Sequence, residues 1–264
     1  MKVAVFGLGY VGTVTAACLA ANGHDVWGVD VDPTKVGMVS SGISPVVEPG
    51  LSALVSDMVG AGRLHATDSA STALDHADVS LICVGTPSTP QGETNLGHVF
   101  HVAEDIASAL SSVDPPASGR HAIVVRSTVP PGTAQRVEAT IRAALDPDRV
   151  SVGVAMCPEF LREGTGISDF YSPPYTVIGA SDDATIDIIA TLFGFLDRPV
   201  HVVDVRTAEA LKYASNAFHA TKVSFANEMG RLFRRFDVDS RKVMELFCED
   251  VQLNIPIEDL REAT

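Results

Sequence analysis

Three closely spaced glycines constrain the fold of this chain more than any other feature. Gly7, Gly9 and Gly12 form a GxGxxG motif. The motif directly follows the apolar run Lys2–Phe6 and opens a helical pattern from Val11 to Asn22. In such a turn the first glycine allows a tight bend, the second lets the backbone approach a phosphate, and the third lets the helix pack close to the strand. The motif therefore predicts a βαβ unit that binds a dinucleotide at the start of its first helix.

The residue that ends the next strand selects between cofactors. Asp30 follows the apolar run Asp25–Val29, where its carboxylate would hydrogen-bond the ribose hydroxyls and repel a 2′-phosphate. We therefore expect NAD rather than NADP. Lys35 leaves the alternative open, because a nearby cation could receive that phosphate. A lone GxGxxG is often only a flexible turn, but the strand, the helix and Asp30 together argue against that interpretation.

Short apolar runs alternate with helical stretches along the chain, which predicts an α/β fold of the Rossmann type with a doubly wound parallel sheet. The further strands are expected at Val79–Val84, His121–Arg126, Val150–Ala155, Thr176–Gly179 and Val200–Val203. The further helices are expected after Pro33 and near residues 98–112, 132–145 and 183–196.

A change of pattern marks the predicted domain boundary near Asp204. Residues 1–204 would form the NAD-binding domain. Residues 205–264 would form a long linking helix, at 207–235, and an incomplete helical central domain that contains a further helix at 240–248. The tail at 254–264 is polar and closes no domain.

Charge and cysteine usage limit the possible partners. The net charge of -14 and the absence of a separate Lys/Arg cluster argue against nucleic acid. No uninterrupted apolar stretch is long enough to span a bilayer. The cysteines are widely spaced, without a CxxC pair or a histidine at metal-ligand spacing, which favours reduced thiols in the cytoplasm and no metal site. They are Cys18, Cys83, Cys157 and Cys248.

Two later strand ends are expected to reach the same ligand, since ligands of doubly wound sheets lie beyond the carboxyl ends of the strands. Gly85-Thr86-Pro87 and Ser127-Thr128-Val129-Pro130 occupy these positions. Their hydroxyls and small residues suit contact with the cofactor and with a catalytic water. Each stretch taken alone is equally well explained as a turn.

A polar stripe is the most informative feature of the long helix. Lys212, Asn216 and His219 fall at i, i+4 and i+7 and so share one face. Such a stripe can be a solvated face. It can also serve catalysis, because a lysine and an amide side by side stabilise an oxyanion that develops on a substrate.

Five stretches in this order resemble the UDP-glucose/GDP-mannose dehydrogenase family: FGLGYVG, ICVGTP, RSTVPPG, CPEFLREGT and LKYASNAFHATKVSFANE. The resemblance covers nearly the whole chain. It implies an NAD-dependent enzyme that oxidises the C6 alcohol of a nucleotide-linked sugar to a carboxylate in two hydride transfers, joined by a thioester to a cysteine. We also expect a homodimer formed through the long helix.

The resemblance assigns roles to individual residues. Lys212 and Asn216 would stabilise the oxyanion, and Glu163 would be the acid/base partner near the nicotinamide, with Thr128 ordering the water. The expected cofactor contacts are Gly7, Gly9, Tyr10, Val11, Gly12, Asp30, Lys35, Thr86, Thr128 and Glu163. The expected sugar contacts are Glu159, Phe160, Leu161, Arg162, Lys212, Asn216 and His219.

Two features of the sugar loop leave its geometry open. Arg162 could merely pair with one of the two glutamates in a surface loop. Cys157 stands where the family commonly has asparagine, which is a departure from the family pattern.

The substrate is expected to be GDP-mannose rather than UDP-glucose, because His219 and the segment Ser44–Gly50 resemble that branch of the family. Taken alone, His219 is better explained as a core or interface histidine. In the family the thioester cysteine lies in a GGSC-type motif after a stretch resembling residues 248–255, whereas this chain runs into 256–264 and stops. Cys248 is expected to be structural.

We therefore expect NAD binding without overall turnover by this chain. Two alternatives remain open: a non-catalytic NAD-binding or dimerisation module, and a cysteine-independent dehydrogenase of the β-hydroxyacid type. The PEFLRE loop argues against the second alternative.

Overall fold

A computed structural model describes residues 1–146 and 148–250 of the chain. In this part the strands are β1 (Lys2–Phe6), β2 (Asp25–Val29), β3 (Leu64–Thr67), β4 (Val79–Ile82), β5 (Arg120–Val125), β6 (Ser151–Met156), β7 (Thr176–Gly179) and β8 (Val200–Val203). The helices are α1 (Tyr10–Ala21), α2 (Pro33–Ser40), α3 (Leu51–Gly60), α4 (Ala70–Leu74), α5 (Gly97–Leu110), α6 (Thr133–Ala144), α7 (Gly166–Tyr171), α8 (Asp183–Leu192), α9 (Val205–Arg234) and α10 (Ser240–Glu249).

The strands form one sheet in the order β3-β2-β1-β4-β5-β6-β7-β8. The order reverses between β1 and β4, which is the switch point of a Rossmann-type fold, so the expected fold class is confirmed. One part of the expectation is wrong, because β7 runs antiparallel to β6 through the pair Met156 and Gly179. The segment between these strands contains only the six-residue helix α7 and loops, and it returns the chain in the opposite direction.

The two faces of the sheet each contact a hydrophobic core. Val3 and Val5 of β1 belong to one core, whereas Ala4 and Phe6 belong to the other. Successive side chains of a strand point to opposite faces, so a strand that is covered by helices on both sides is apolar along nearly its whole length. Apolar runs in which polar and apolar residues do not alternate therefore fold as central strands.

In the described part of the chain, three of the four strands and helices that the sequence pattern did not predict are short. Strand β3 has four residues and only Leu64 is buried. Helix α4 has five residues and begins at a Ser69 side chain that accepts a hydrogen bond from the amide of Thr72. Helix α7, with six residues, was also not predicted, and neither was the longer helix α3, with ten residues. A stretch of four to six residues contains about one period of a helix, which is too little for a periodic signal.

Two neighbouring strands carry a buried polar pair. The Ser80 hydroxyl of β4 lies 2.8 Å from Nε2 of His121 on β5, and His121 Nδ1 lies 2.8 Å from the carbonyl oxygen of Ala77. Both side chains are fully buried. Burial lowers the pKa of His121 to about 4, although the bond to Ala77 and the charge of Asp78 oppose this shift. The neutral ring therefore donates to Ala77 and accepts from Ser80.

This pair predicts acid sensitivity. The folded pKa of His121 lies below the value of 6.5 for a free histidine, so its contribution to stability is complete above pH 6.5 and is lost as the pH falls towards 4. We expect the free energy of unfolding to fall by up to about 3 kcal/mol over this range on account of His121. Urea denaturation as a function of pH measures this decrease.

The matched comparison is the double variant Ser80→Ala/His121→Leu, in which both polar groups are removed and neither is left unpaired. Its stability should change less between pH 6.5 and pH 4 than that of the native chain. The variant His219→Leu, at an exposed position, should follow the native curve. Parallel curves for the double variant and the native chain would show that His121 is not the sensitive group.

The chain divides into two compact units, and the boundary between them lies within helix α9, after Tyr213. In the second unit, the described residues are 214–250, and Phe225 of α9 contacts Phe247 of α10 with 5.7 Å between ring centroids. The domain boundary near Asp204 stays a prediction. The tail expected at 254–264 lies outside the described residues. In the described part of the chain, no helix combines the length and hydropathy that a membrane crossing requires.

Candidate functional site

The glycine motif lies between β1 and α1, at the switch point of the sheet. Gly7 has φ +98°, and a Cβ at this position would lie 2.9 Å from the carbonyl oxygen of Cys83. A Cβ at Gly12 would overlap the carbonyl oxygen of Gly7. Each of these two positions therefore requires glycine for a different steric reason.

Gly9 differs from its two neighbours in the motif. It is the N-cap of α1, it supplies no capping side chain, and no atom lies within 4 Å of the position that its Cβ would take. The first amides of a helix have no partner within the helix, and they favour a phosphate when no side chain caps them. The open space at Gly9 is therefore suited to the approach of a pyrophosphate.

Asp30 connects the end of β2 to the glycine loop. Its Oδ2 accepts hydrogen bonds from the amide of Leu8, at 2.7 Å, and from Nζ of Lys35, at 3.1 Å. Its Oδ1 accepts a bond from the amide of Asp32. Lys35 is thus neutralised by Asp30, which reduces its attraction for the 2′-phosphate of NADP. The arrangement favours ribose hydroxyls as the ligand of Asp30.

A cleft of about 440 Å³ opens beside these residues. Four of the expected cofactor contacts line it: Gly7, Gly9, Asp30 and Lys35. The other expected contacts, all of them described residues, are not part of its lining: Tyr10, Val11, Gly12, Thr86, Thr128 and Glu163. The cleft thus fits the adenosine end of a dinucleotide and extends along the carboxyl ends of β1, β2 and β4.

Polar residues of the cleft include a group that is not among the predicted site residues. Asp68 follows β3, and His98, His101 and Asp105 lie at successive turns of α5. His98 Nδ1 lies 3.2 Å from the carbonyl oxygen of Gly85, and His101 lies 3.7 Å from Asp105. Their spacing of three and four residues within a predicted helix was the one signal that could have identified them.

The loops after β4 and β5 are joined to each other, as the shared edge of the sheet predicts. The Thr86 hydroxyl donates to the carbonyl oxygen of Thr128 at 2.9 Å, and the Ser127 hydroxyl donates to the carbonyl oxygen of Val84 at 2.6 Å. Thr86 and Thr128 are half-buried. The structure therefore brings both of the predicted threonines to one place.

Glu159, in the loop after β6, and Lys212, on α9, form a buried ion pair. Nζ of Lys212 lies 2.8 Å from Oε1 of Glu159 and donates to the Glu159 carbonyl oxygen at 2.6 Å. Oε2 of Glu159 accepts a bond from the amide of Leu161. The Lys212 ammonium also lies 5.6 Å from the centre of the Phe160 ring. All four residues are expected sugar contacts, but no sequence pattern predicts that two of them pair.

Arg162 pairs with Asp169, and neither glutamate of the loop is its partner. Its Nη2 lies 2.6 Å from Asp169 Oδ1, and its backbone amide donates to Asp169 Oδ2. The idea that Arg162 pairs with a glutamate is therefore wrong. Hydrogen bonds from Arg162 lower the pKa of the Asp169 carboxyl, so this carboxylate stays charged.

Glu48 holds the following turn of the same loop. Its carboxylate accepts bonds from the amides of Gly164 and Gly166, both at 2.8 Å, and from the Tyr10 hydroxyl at 2.9 Å. The Tyr10 hydroxyl also lies 2.8 Å from the carbonyl oxygen of Arg162. The loop that precedes α7 is thus connected to the glycine motif.

The two cysteines beside the site are buried and neutral. Burial raises the pKa of the Cys157 thiol, although Arg126 opposes the shift, and burial likewise raises the pKa of Cys83. Cys157 therefore occupies its position as a small apolar side chain. A thiol in this state is a poor nucleophile.

The remaining predicted residues are exposed. Glu163 is exposed between two residues of the loop whose backbone groups are hydrogen-bonded. Asn216 and His219 are exposed on α9 within the second unit. Cys248 is exposed on α10 and forms no disulfide.

The comparisons with known proteins agree with this geometry. Residues 1–197 match the sequence model of the UDP-glucose/GDP-mannose dehydrogenase family, NAD binding domain, and residues 206–257 match the central domain of that family. The expected cofactor, NAD, is confirmed by the first of these matches. The described residues reach 250, so the second match extends beyond them.

Individual relatives support the same assignment. The chain is 46% identical over 257 residues to GDP-mannose 6-dehydrogenase of Pseudomonas putida, which covers 97% of the chain and 58% of that protein. It resembles the crystal structure of a ternary complex of GDP-mannose dehydrogenase from Pseudomonas aeruginosa with a TM-score of 0.88, 44% identity, and coverage of 97% and 58%.

A third relative comes from another branch. The structure of a UDP-glucose dehydrogenase from the hyperthermophilic archaeon Pyrobaculum islandicum matches with a TM-score of 0.85 and 39% identity, over 95% of this chain and 57% of that one. The chain therefore spans a little more than half the length of the relatives that it matches.

Proposed function

The chain belongs to the UDP-glucose/GDP-mannose dehydrogenase family, and from that premise we propose that it forms the cofactor-binding part of an NAD-dependent nucleotide-sugar 6-dehydrogenase. The observation that carries the proposal is the glycine loop at the switch point of the sheet. There, Gly9 leaves space for a pyrophosphate while the Asp30 carboxylate holds Leu8 of the same loop. NAD, when bound, would accept a hydride from the sugar alcohol.

We propose GDP-mannose as the preferred nucleotide sugar. Six relatives named GDP-mannose 6-dehydrogenase share 43% to 46% identity with this chain, whereas two named UDP-glucose 6-dehydrogenase share 39%. The segment Ser44–Gly50 and His219 support the same choice by resemblance. Two successive hydride transfers that convert the C6 alcohol to a carboxylate are the reaction proposed for the whole enzyme.

Individual residues of this chain would have the following catalytic roles. Lys212 and Asn216 would stabilise the oxyanion on the substrate, and Glu159 would orient Lys212 through their ion pair. Glu163 would exchange a proton with a water that Thr128 orders. The exposure of Glu163 and its position between two anchored residues of the loop support this role.

A homodimer formed through α9 is proposed as well. In the second unit, large apolar side chains of α9 and α10 are exposed, and such surfaces mark contacts with a partner. They are Phe218, Val223, Phe225, Leu232, Leu246 and Phe247.

Calorimetric titration of the purified 264-residue chain tests the cofactor part of the proposal. We expect one NAD site per chain and NADP binding that is at least about tenfold weaker, because the 2′-phosphate would face the buried carboxylate of Asp30. The variant Asp30→Asn should weaken NAD binding and narrow the difference between the two cofactors. The control Asp57→Asn, at an exposed position of α3, should bind like the native chain.

Titration with GDP-mannose and with UDP-glucose, each at saturating NAD, tests the substrate part. Tighter binding of GDP-mannose supports it as the preferred nucleotide sugar, and tighter binding of UDP-glucose contradicts that proposal. A folded chain that binds no NAD would overturn the proposed function.

A further inference from the structure

Glu48 is a buried carboxylate whose partners are uncharged. It is 7% exposed, and no lysine, arginine or histidine in the described part of the chain forms an ion pair with it. Its three partners are the amides of Gly164 and Gly166 and the hydroxyl of Tyr10. A buried charge is costly unless it is fully hydrogen-bonded, so this site is built around the carboxylate.

The charge states of Glu48 and Tyr10 suit this arrangement. Desolvation would raise the pKa of Glu48, but the bonds from Gly164, Tyr10 and Gly166 outweigh it and lower the pKa. Burial and the bond to Glu48 raise the pKa of the Tyr10 phenol. Glu48 therefore stays an acceptor and Tyr10 stays a donor throughout the neutral range, and hydrogen bonds to a charged acceptor are the stronger ones.

The partners of Glu48 come from two segments far apart in the sequence. Tyr10 is the first residue of α1 and directly follows Gly9, which lines the cleft. Gly164 and Gly166 follow Glu163, and the carbonyl oxygen of Arg162 precedes it. Tyr10 thus holds the backbone before Glu163, and Glu48 holds the backbone after it.

The two segments are in close contact, which leaves the Tyr10 side chain little freedom to move. A Cβ at Gly166 would overlap the Tyr10 hydroxyl, so α7 begins directly against that side chain. The single proton of the Tyr10 hydroxyl is shared between Glu48 and the Arg162 carbonyl oxygen, and any displacement of Tyr10 changes both bonds.

We propose that Tyr10 and Glu48 form a bracket that couples NAD binding at the glycine loop to the order of the turn 162–166, and so positions Glu163 for catalysis. Glu48 is a positioning residue in this scheme, and the inference rests on the proposed function. NAD fixes the start of α1, the start of α1 fixes Tyr10, and the bracket transmits this order to the turn. By linkage, a loosened turn must weaken NAD binding by the same factor.

Amide hydrogen exchange of Gly164 and Gly166, measured by NMR with and without NAD, tests the bracket. The measured quantity is the ratio of the exchange rate without NAD to the rate at saturating NAD. We expect a ratio of about five or more in the native chain, at the lower end of typical coupling between sites. In Glu48→Gln we expect a ratio near one and NAD binding that is weaker by a similar factor.

A merely structural role gives a different result. In that case Glu48→Gln would accelerate exchange equally with and without NAD, and the ratio would remain that of the native chain. That outcome would overturn the inference, as would a ratio near one in a native chain that binds NAD. A native chain that binds no NAD would instead be a failure of the proposed function.

A second variant and a control complete the experiment. Tyr10→Phe keeps the hydrogen bonds that the two glycine amides donate to Glu48 but removes the connection to α1, so the ratio should fall while exchange without NAD changes little. This variant also serves if Glu48→Gln does not fold. The control Glu104→Gln removes an exposed carboxylate on α5 and should retain the native ratio.

Discussion

A single methyl group at position 12 is expected to abolish NAD binding and to lower the free energy of unfolding by at least about 3 kcal/mol. In Gly12→Ala the new Cβ would overlap the Gly7 carbonyl oxygen, and it would come within 3.3 Å of the Cys83 Cβ. Backbone atoms on one side and a packed strand end on the other leave no room for a small adjustment. The glycine loop must therefore move away from α1, which destroys the phosphate site.

Urea denaturation and calorimetric titration with NAD measure the two effects. Gly9→Ala is the matched control, because it adds the same methyl group in the same motif at a position with open space. Gly9→Ala should keep the native stability and weaken NAD binding, since the methyl group would occupy the place of the pyrophosphate. A Gly12→Ala variant with native stability would contradict the steric argument.

The second large effect is expected at the buried ion pair. Lys212→Met should lower the free energy of unfolding by about 3 to 5 kcal/mol, because it leaves the Glu159 carboxylate buried without a counter-charge. Methionine has a similar length and an apolar stem, so the loss reflects the charge more than the volume. Urea denaturation near pH 7 measures the difference.

The double variant Lys212→Met/Glu159→Gln separates the charge from the packing. If the unpaired carboxylate causes the loss, the double variant should be more stable than Lys212→Met alone. Additive losses would show that each residue contributes through its other contacts. Lys222→Met, at an exposed lysine later in α9, should change stability by less than about 0.5 kcal/mol.

The central part of the fold could be predicted because local pattern determines it. The runs at Lys2–Phe6, Asp25–Val29 and Thr176–Gly179 agree with the strands residue for residue. These runs are apolar because helices cover both faces of the sheet, and that cause acts on every residue of the strand. The reversed direction of β7 left no such trace, since strand direction depends on the path of the intervening loop.

Residues of the candidate site could be predicted only where they lie within one short sequence motif. The glycine loop and Asp30 lie within a single βαβ unit, so their spacing was sufficient. Glu48 contacts Gly166 across 118 positions, and Lys212 contacts Glu159 across 53, distances at which sequence pattern carries no signal. The polar stripe on α9 includes Lys212, but only the structure shows that the Glu159 carboxylate pairs with it.

The position of β1 in the middle of the sheet has a consequence for how the chain acquires its structure. Its two neighbours are β2, which follows it closely, and β4, whose Val79 pairs with Val3. The sheet edge that faces β4 must therefore stay open while more than seventy further residues are synthesised, and contacts between such distant segments form slowly. During that interval the unpaired edge of β1 can pair with another chain, so the nascent chain needs protection from aggregation there.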